Sequence, residues 1–353
     1  MYNIPTTAPV TQPENQQVIA PVKVKGKPGP KPGSKQKVKG KDSNESATKP
    51  ANQPTTKPVT DKIGRGVVLI ALGSAEYGKM AANAAASIRF SDKKVPIHLV
   101  HSGNSLSHLT DAHRRLFTSI AECPAEYHTT NGKPDYIKAK THIYDLSPYY
   151  ETLLLDVDLL WFGTKNMSDF ITMLAGTDFA MQSRGVHNYA TGKTDGKYTH
   201  WVDVKQAQQA YGLTGNFYQL SSEVMWFRKT KEVKAFFTKA KQIYSKPKVA
   251  TTVGFGTGLP DEFAFNIAAN LCGLAPRKAH DVFIYWQYLD KTPGPWNEII
   301  ARYHGYSMGG NNIPTAVRQR YEQMARHQAQ ALRLPYYFKV YPKKQWDNTR
   351  RVL

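Results

Sequence analysis

From Val67 onward the chain alternates short β-branched runs with longer stretches whose apolar positions recur at helical spacing. This is the pattern of strands joined by crossover helices. "GVVLIALGSAEYGKMAANAAASIRF" (66–90) predicts a strand, a loop and an Ala-rich helix. "VPIHLVHSG" (95–103) predicts a second strand, and "LSHLTDAHRRLFTSI" (106–120) the helix that follows it. "YIKAKTHIYDL" (136–146) predicts another helix, stopped by Pro148 because the residue before a proline is pushed out of the α region. "ETLLLDV" (151–157) is the next strand, and its near-continuous apolar character indicates burial on both faces. The pattern is that of an α/β fold with no internal repeat.

Two carboxylates, Asp156 and Asp158, interrupt the apolar run "TLLLDVDLLWF" (152–162). Ligands of open α/β sheets bind outside the carboxyl ends of the strands, which is where this pair falls. In extended chain an i, i+2 spacing puts both side chains on one side. Like charges so placed are costly unless a cation neutralises them. Mg²⁺ or Mn²⁺ is suited to that task, since hard divalent ions prefer carboxylates and bind phosphate oxygens at the same time. An acidic turn, solvated or paired with Lys or Arg, is the other reading of a bare Asp-x-Asp.

Charge divides the chain. The formal net charge of the 353 residues is +20, and residues 1–62 carry 11 Lys against four acids together with ten of the 22 prolines. Such a segment buries too little apolar surface to offset its ordering entropy, so 1–63 is expected to be a disordered basic tail, with folded chain from Gly64. The remaining 291 residues still carry a net +13, which suits a polyanionic partner or simply solubility. Cys123 and Cys272 lie far apart, which suggests neither a disulfide framework nor a zinc site. No apolar run reaches the roughly 20 residues a membrane helix needs. "MYNIPTTAPV" has neither the basic nor the apolar region of a secretion signal, so a cytoplasmic location is expected.

"KTHIYDLSPYYETLLLDVDLLWF" resembles the core signature of nucleotide-sugar glycosyltransferases of the GT-A fold, especially glycosyltransferase family 8. There a helical Lys precedes a Ser-Pro-aromatic turn and an apolar strand ending in Asp-x-Asp. "FYQLSSEVMWFRKTKEVKAFFTKA" (217–240), "LPDEFAFNIAAN" (259–270) and "RYHGYS" (302–307) resemble the family's later segments, in the family's order. The resemblance implies a Rossmann-like mixed sheet with helices on both faces over 64–312, and 313–353 as a basic, aromatic C-terminal helix and tail.

It also implies roles. Asp158 would ligate the divalent ion, Asp156 would contact the metal or the donor ribose, and His304 would complete the metal site; a surface histidine before a turn glycine is His304's other reading. Lys140 would act on the donor diphosphate, with Lys138 as the fallback, although either could be a solvated helix lysine. The loop "ALGSAEY" (71–77), through Ala71, Gly73 and Tyr77, would cradle the nucleoside, with a core role for Tyr77 equally open. Asp261 would meet the transferred sugar or the acceptor hydroxyl, or would only favour the start of a helix through its charge. The chain departs from the family where "YSMGGNN" replaces a Lys-Pro-Trp-like stretch, at the diphosphate end of the site. A nucleotide sugar, most simply a UDP-sugar, is the expected donor.

Two function classes follow. The first is a metal-dependent glycosyltransferase whose acceptor is hydroxymethylated DNA, as in viral DNA modification in a host cytoplasm, or else a glycan, a lipid-linked saccharide or a protein. The second is a non-catalytic DNA-binding protein on a degenerate glycosyltransferase fold. "KGKPGPKPGSKQKVKGK" (25–41) looks like a degenerate AT-hook that has lost its Arg-Gly-Arg-Pro core. Residues 318–351 interleave nine basic residues with aromatics, which suits phosphate pairing with base stacking, and equally suits a helix docked by its aromatic side. Oligomeric state is not indicated.

Overall fold

Alternation within each strand decides which of two cores it feeds. In the computed structural model, residues 63–196, 201–252, 258–274, 284–285, 296–308 and 315–336 are described. The chain runs β1 (Ile63–Ala71), α1 (Ala75–Ser91), β2 (Ile97–His101), the one-turn α2 (Asp111–Arg114) and β3 (Ser119–Glu122). A small hairpin, β4 (Thr129–Thr130) and β5 (Lys133–Pro134), leads into α3 (Lys138–Thr141), α4 (Ile143–Leu146), β6 (Tyr149–Leu155) and β7 (Leu159–Trp161). Then come α5 (Met167–Leu174), β8 (Phe179–Asn188), β9 (Lys193–Gly196), α6 (Val204–Tyr211), β10 (Asn216–Arg228), α7 (Lys231–Ser245) and α8 (Asp261–Leu271). The last described elements are β11 (Ile284–Tyr285), α9 (Trp296–Arg302), β12 (Gly305–Ser307) and α10 (Thr315–Ala331).

The main sheet has seven strands in the order β3-β2-β1-β6-β10-β8-β9. β3, β2, β1 and β6 are parallel to one another, whereas β10 runs antiparallel to both β6 and β8. β11, β12 and β7 form a second, smaller sheet. Val67, Leu69, Leu153, Leu155, Val224 and Trp226 face one way, into a core shared with α1, α5, β7 and α10. Their neighbours Val68, Leu154, Met225 and Phe227 face the other, onto α3, α7 and α8. A period of two thus splits each strand between two apolar layers, which is why these strands read as continuous apolar runs.

Three expectations are corrected. The helix expected over 106–120 shrinks to one turn at 111–114, because Thr118 and Ile120 join β2's edge: Thr118 N–H donates to the Ile97 carbonyl at 2.7 Å, and Ile97 N–H to Thr118 Oγ1 at 3.1 Å. The helix over 136–146 breaks at His142, whose backbone (φ −98°, ψ 6°) leaves the helical region. It does stop ahead of Pro148, with Ser147 extended at ψ 131°. Asp156 to Asp158 is not extended chain but a turn, closed by Leu159 N–H on the Asp156 carbonyl at 3.2 Å. That turn carries the chain from the main sheet into the smaller one.

α10 packs against α1 and β7, with Tyr321, Ala325, Gln328 and Ala329 buried and Gln328 Nε2 donating to the Trp161 carbonyl at 2.9 Å. Tyr321 therefore has no exposed face on which a base could stack. The AT-hook-like stretch and residues 337–353 lie outside the described residues. Among the described residues no helix is long and apolar enough to cross a membrane.

The Ala-rich face of α1 allows close approach, and Gly78 is its tightest point: an added Cβ would lie 1.7 Å from the Ser105 carbonyl oxygen. Gly78→Ala is expected to lower unfolding free energy by about 1–3 kcal/mol in urea titration, as overpacking against backbone does. Gly64→Ala, with nothing within 4 Å, should change it by no more than about 0.5 kcal/mol.

Candidate active site

The parallel strands β1 and β6 end at the same edge of the sheet, β6 at Leu155 opposite Leu69 and β1 two residues further on at Ala71, and the residues just beyond build the site. Asp156 follows β6 directly, and its N–H donates to the Glu223 carbonyl of β10 at 2.9 Å. From α3, Lys140 reaches across: its Nζ lies 2.7 Å from Asp156 Oδ1, 2.8 Å from Asp156 Oδ2, 3.1 Å from Ser222 Oγ and 3.5 Å from Asp261 Oδ2. Asp261 opens α8, buried, with no side-chain cap at that helix start. Ser222 Oγ donates to Glu262 Oε1 at 3.3 Å. Arg184 of β8 donates to Ser221 Oγ at 3.0 Å and to both oxygens of Glu223 at 3.3 Å.

Five carboxylates, Glu223 and Asp261 buried and Asp156, Asp158 and Glu262 half-buried, thus share one neighbourhood faced by Lys140 and Arg184. Their protonation follows from that crowding. Burial, the Asp156 charge and a partial offset by Lys140 push the Asp158 carboxyl up to about 7. Burial also raises Glu223 to about 7 against the pull of Arg184. Burial and the charges of Asp261 and Glu223 hold Glu262 well above the usual carboxylate range. Burial disfavours the Lys140 ammonium, but Asp156, Asp261 and Glu262 more than offset it, so the charge is retained.

Asp158 Oδ1 is buried and has no hydrogen-bond partner. An acceptor left so, in a cluster with surplus negative charge, fits a cation. Among the described residues no three Asp, Glu, His or Cys side chains are arranged to hold a metal alone. A divalent ion here would be held by Asp158 and Asp156, with further oxygens coming from a ligand.

No protein-family model and no curated protein sequence matches the chain. Among solved structures it is similar to the bifunctional glycosyltransferase WbbM in its apo form, with a TM-score of 0.50 and 12% identity, over 76% of this chain and 50% of that one. The fold is that of the GT-A glycosyltransferases. The chain spans about half the length of WbbM. It is also similar to the galactosyltransferase LgtC in complex with donor and acceptor sugar analogs (TM-score 0.45, 13% identity, 80% of this chain and 99% of that one). A further similar structure is mouse xyloside xylosyltransferase 1 in its apo form (0.42, 12%, 71% and 99%).

On this GT-A frame, Asp156, Asp158, Lys140 and Asp261 come together. Tyr77 stands near them: burial, then Asp158 and Asp156, raise its hydroxyl above the usual phenol range. Ala71 is buried at the end of β1, and Gly73, at φ +83°, turns the chain where a Cβ would strike the Tyr136 ring at 2.5 Å. Lys138 points elsewhere, donating to the Glu126 and Thr129 carbonyls at 2.8 and 2.7 Å. His304 stands apart as well. The register of β12 on β7 sets Met308 beside Asp158 and His304 beside Phe162, and the His304 ring packs 4.6 Å from Phe170 and 5.5 Å from Trp161. Glu223 and Arg184 were not anticipated. The available signal was Glu223 itself, the lone acid of "FYQLSSEVMWF", directly ahead of the apolar run "VMWF".

A carboxylate raised in the folded state adds stability below its unfolded value near pH 4, and that stability is lost as pH rises through the folded value of about 7. Asp158→Asn is therefore expected to raise the melting temperature at pH 8 without divalent ions, with the gain shrinking toward pH 5. Differential scanning fluorimetry across that range checks it.

Proposed function

We propose that the protein is a metal-dependent glycosyltransferase that moves a sugar from a nucleotide-diphosphate sugar to an acceptor hydroxyl. What carries the reading is Lys140 held between the half-buried Asp156 and the buried Asp261 beyond the carboxyl ends of parallel strands, on a GT-A fold. A Mn²⁺ or Mg²⁺ ion at Asp158 and Asp156 would supply positive charge to the leaving diphosphate.

The chain's own residues account for the rest. In transfer, the bond from the anomeric carbon to the diphosphate oxygen breaks, and negative charge grows on that oxygen. Lys140 remains an ammonium at neutral pH and stands between Asp156 and Asp261, so it can answer that charge by turning an N–H from its long 3.5 Å contact with Asp261 toward the diphosphate. Asp261, buried beside it, orients the sugar or the acceptor hydroxyl. Tyr77 and the Gly73 turn bound the donor side, where glycine lets backbone approach a ligand.

Lys140→Ala is expected to lower turnover in donor hydrolysis by about 10²-fold or more with a smaller change in KM, because the charge it meets is largest in the transition state. Lys138→Ala, its ammonium engaged on two carbonyls, should stay within a few-fold of wild type. Asp158→Ala or excess EDTA should abolish hydrolysis while the protein stays folded. Activity persisting in EDTA would rule out the metal.

The +20 net charge supports a polyanionic acceptor, and DNA bearing hydroxymethylated pyrimidines has both the charge and the hydroxyl. Removing residues 1–62 should leave donor hydrolysis unchanged and weaken duplex binding, with the log–log salt slope falling by about 0.9 for each phosphate that the tail no longer neutralises. Absence of any DNA affinity of the full chain at low salt would leave the glycan, lipid-linked saccharide and protein acceptors.

A further inference from the structure

A cavity of about 410 Å³ opens at the carboxyl ends of β2 and β3, lined by Ser102, Gly103, Glu122, Cys123, Pro124 and His128, with Ala125 beside them. It adjoins the Gly73 turn: Gly73 N–H donates to the Ser102 carbonyl at 3.3 Å, and a Cβ on Gly103 would lie 2.9 Å from the Gly73 carbonyl oxygen. Gly103 thus puts bare backbone on the cavity wall, with the Gly73 turn packed against it. The His128 ring supplies the cavity's aromatic surface and leans on Tyr136 at 5.7 Å, and Tyr136 in turn covers Gly73. From Gly73 the chain leads within four residues to Tyr77, whose hydroxyl lies in the field of Asp158 and Asp156.

If a nucleotide sugar is the donor, as proposed above, its diphosphate belongs at the Lys140 end, and this cavity is left for the base. Its volume falls in the range of small-molecule pockets. The acid that lines it is Glu122, the last residue of β3. An ionised carboxylate only accepts hydrogen bonds. Guanine is the common base that sets two N–H donors, N1–H and the N2 amino group, side by side on its pairing edge. Uracil flanks its N3–H with carbonyl oxygens, while adenine and cytosine set an acceptor nitrogen beside the amino group. Those acceptors would face Glu122 unpaired.

We infer that the cavity beyond β2 and β3 holds the donor's base and that Glu122 makes it select guanine, so that the donor is a GDP-sugar. This differs from the UDP-sugar that the family resemblance implies.

The test titrates the full-length protein with GDP, UDP and ADP in the presence of Mn²⁺ by calorimetry. GDP should bind at least about 10-fold more tightly than UDP or ADP, the scale of two hydrogen bonds to a charged group. Glu122→Gln should remove most of that margin while leaving UDP affinity within about two-fold, since an amide turns one N–H toward the base. His128→Ala should weaken all three nucleotides alike by removing shared ring surface. Equal binding of the three, a preference for UDP or ADP, or a GDP preference untouched by Glu122→Gln would overturn guanine selection. In those cases nucleotide binding that still needs Asp158 leaves the transferase reading standing. No binding of any of the three would overturn both.

Discussion

One ammonium holds the candidate site together. Lys140 draws Asp156, Ser222 and Asp261 toward a single point, and those groups arrive on β6, β10 and α8. Without a cation at that point the carboxylates would repel one another in a place where burial already penalises their charge. Without a further cation the remaining excess is relieved by protons, which the raised pKa values of Asp158, Glu223 and Glu262 show, while one Asp158 oxygen stays unpartnered. A divalent cation can take the place of those protons, which suits an incoming ion and a phosphate ligand that shares it.

Holding Lys140 in place falls to a short, well-braced segment. α3 is a single turn, and by itself would be marginal. Lys138 ties it back to the Glu126 and Thr129 carbonyls, and His142 stacks on Tyr127 at 4.1 Å. On the opposite side, the start of α8 is fixed by Tyr244, whose hydroxyl donates to Asp135 Oδ1 at 2.8 Å and accepts from Leu259 N–H at 3.2 Å. An added Cβ on Gly258 would sit 2.6 Å from that same Asp135 oxygen, so glycine is what lets the loop close there. The lysine and Asp261 are thus positioned from both ends.

The change of strand direction at β6 supplies the remaining groups. β10 enters antiparallel beside β6, which sets Val224 opposite Leu155 and brings Glu223 against Asp156. The register of β10 on β8 shifts twice: Arg184 is the unpaired residue opposite Gln219 and Leu220 at one shift, Glu223 lies between Ser221 and Met225 at the other, and Arg184 reaches Ser221 and Glu223. Bulges that re-aim side chains are frequent beside functional sites.

The sequence by itself determined the alternation of strands and helices, the burial of β6 on both faces and the place of Asp156 and Asp158 at a strand end. These are local properties: a period of two or 3.6 and the position of an acid in an apolar run survive without knowledge of neighbours. Short elements escaped that logic. Thr118 and Ile120 continue a helical spacing in sequence but pair with β2 because an open strand edge lies beside them. Tertiary structure alone decided which of Lys138 and Lys140 faces the acids, that His304 packs on Trp161 and Phe170, and that Glu223 and Arg184 belong with Asp156. Each of those outcomes depends on pairing between segments tens of residues apart, and the energy of a buried charge depends on which charges the fold brings to it.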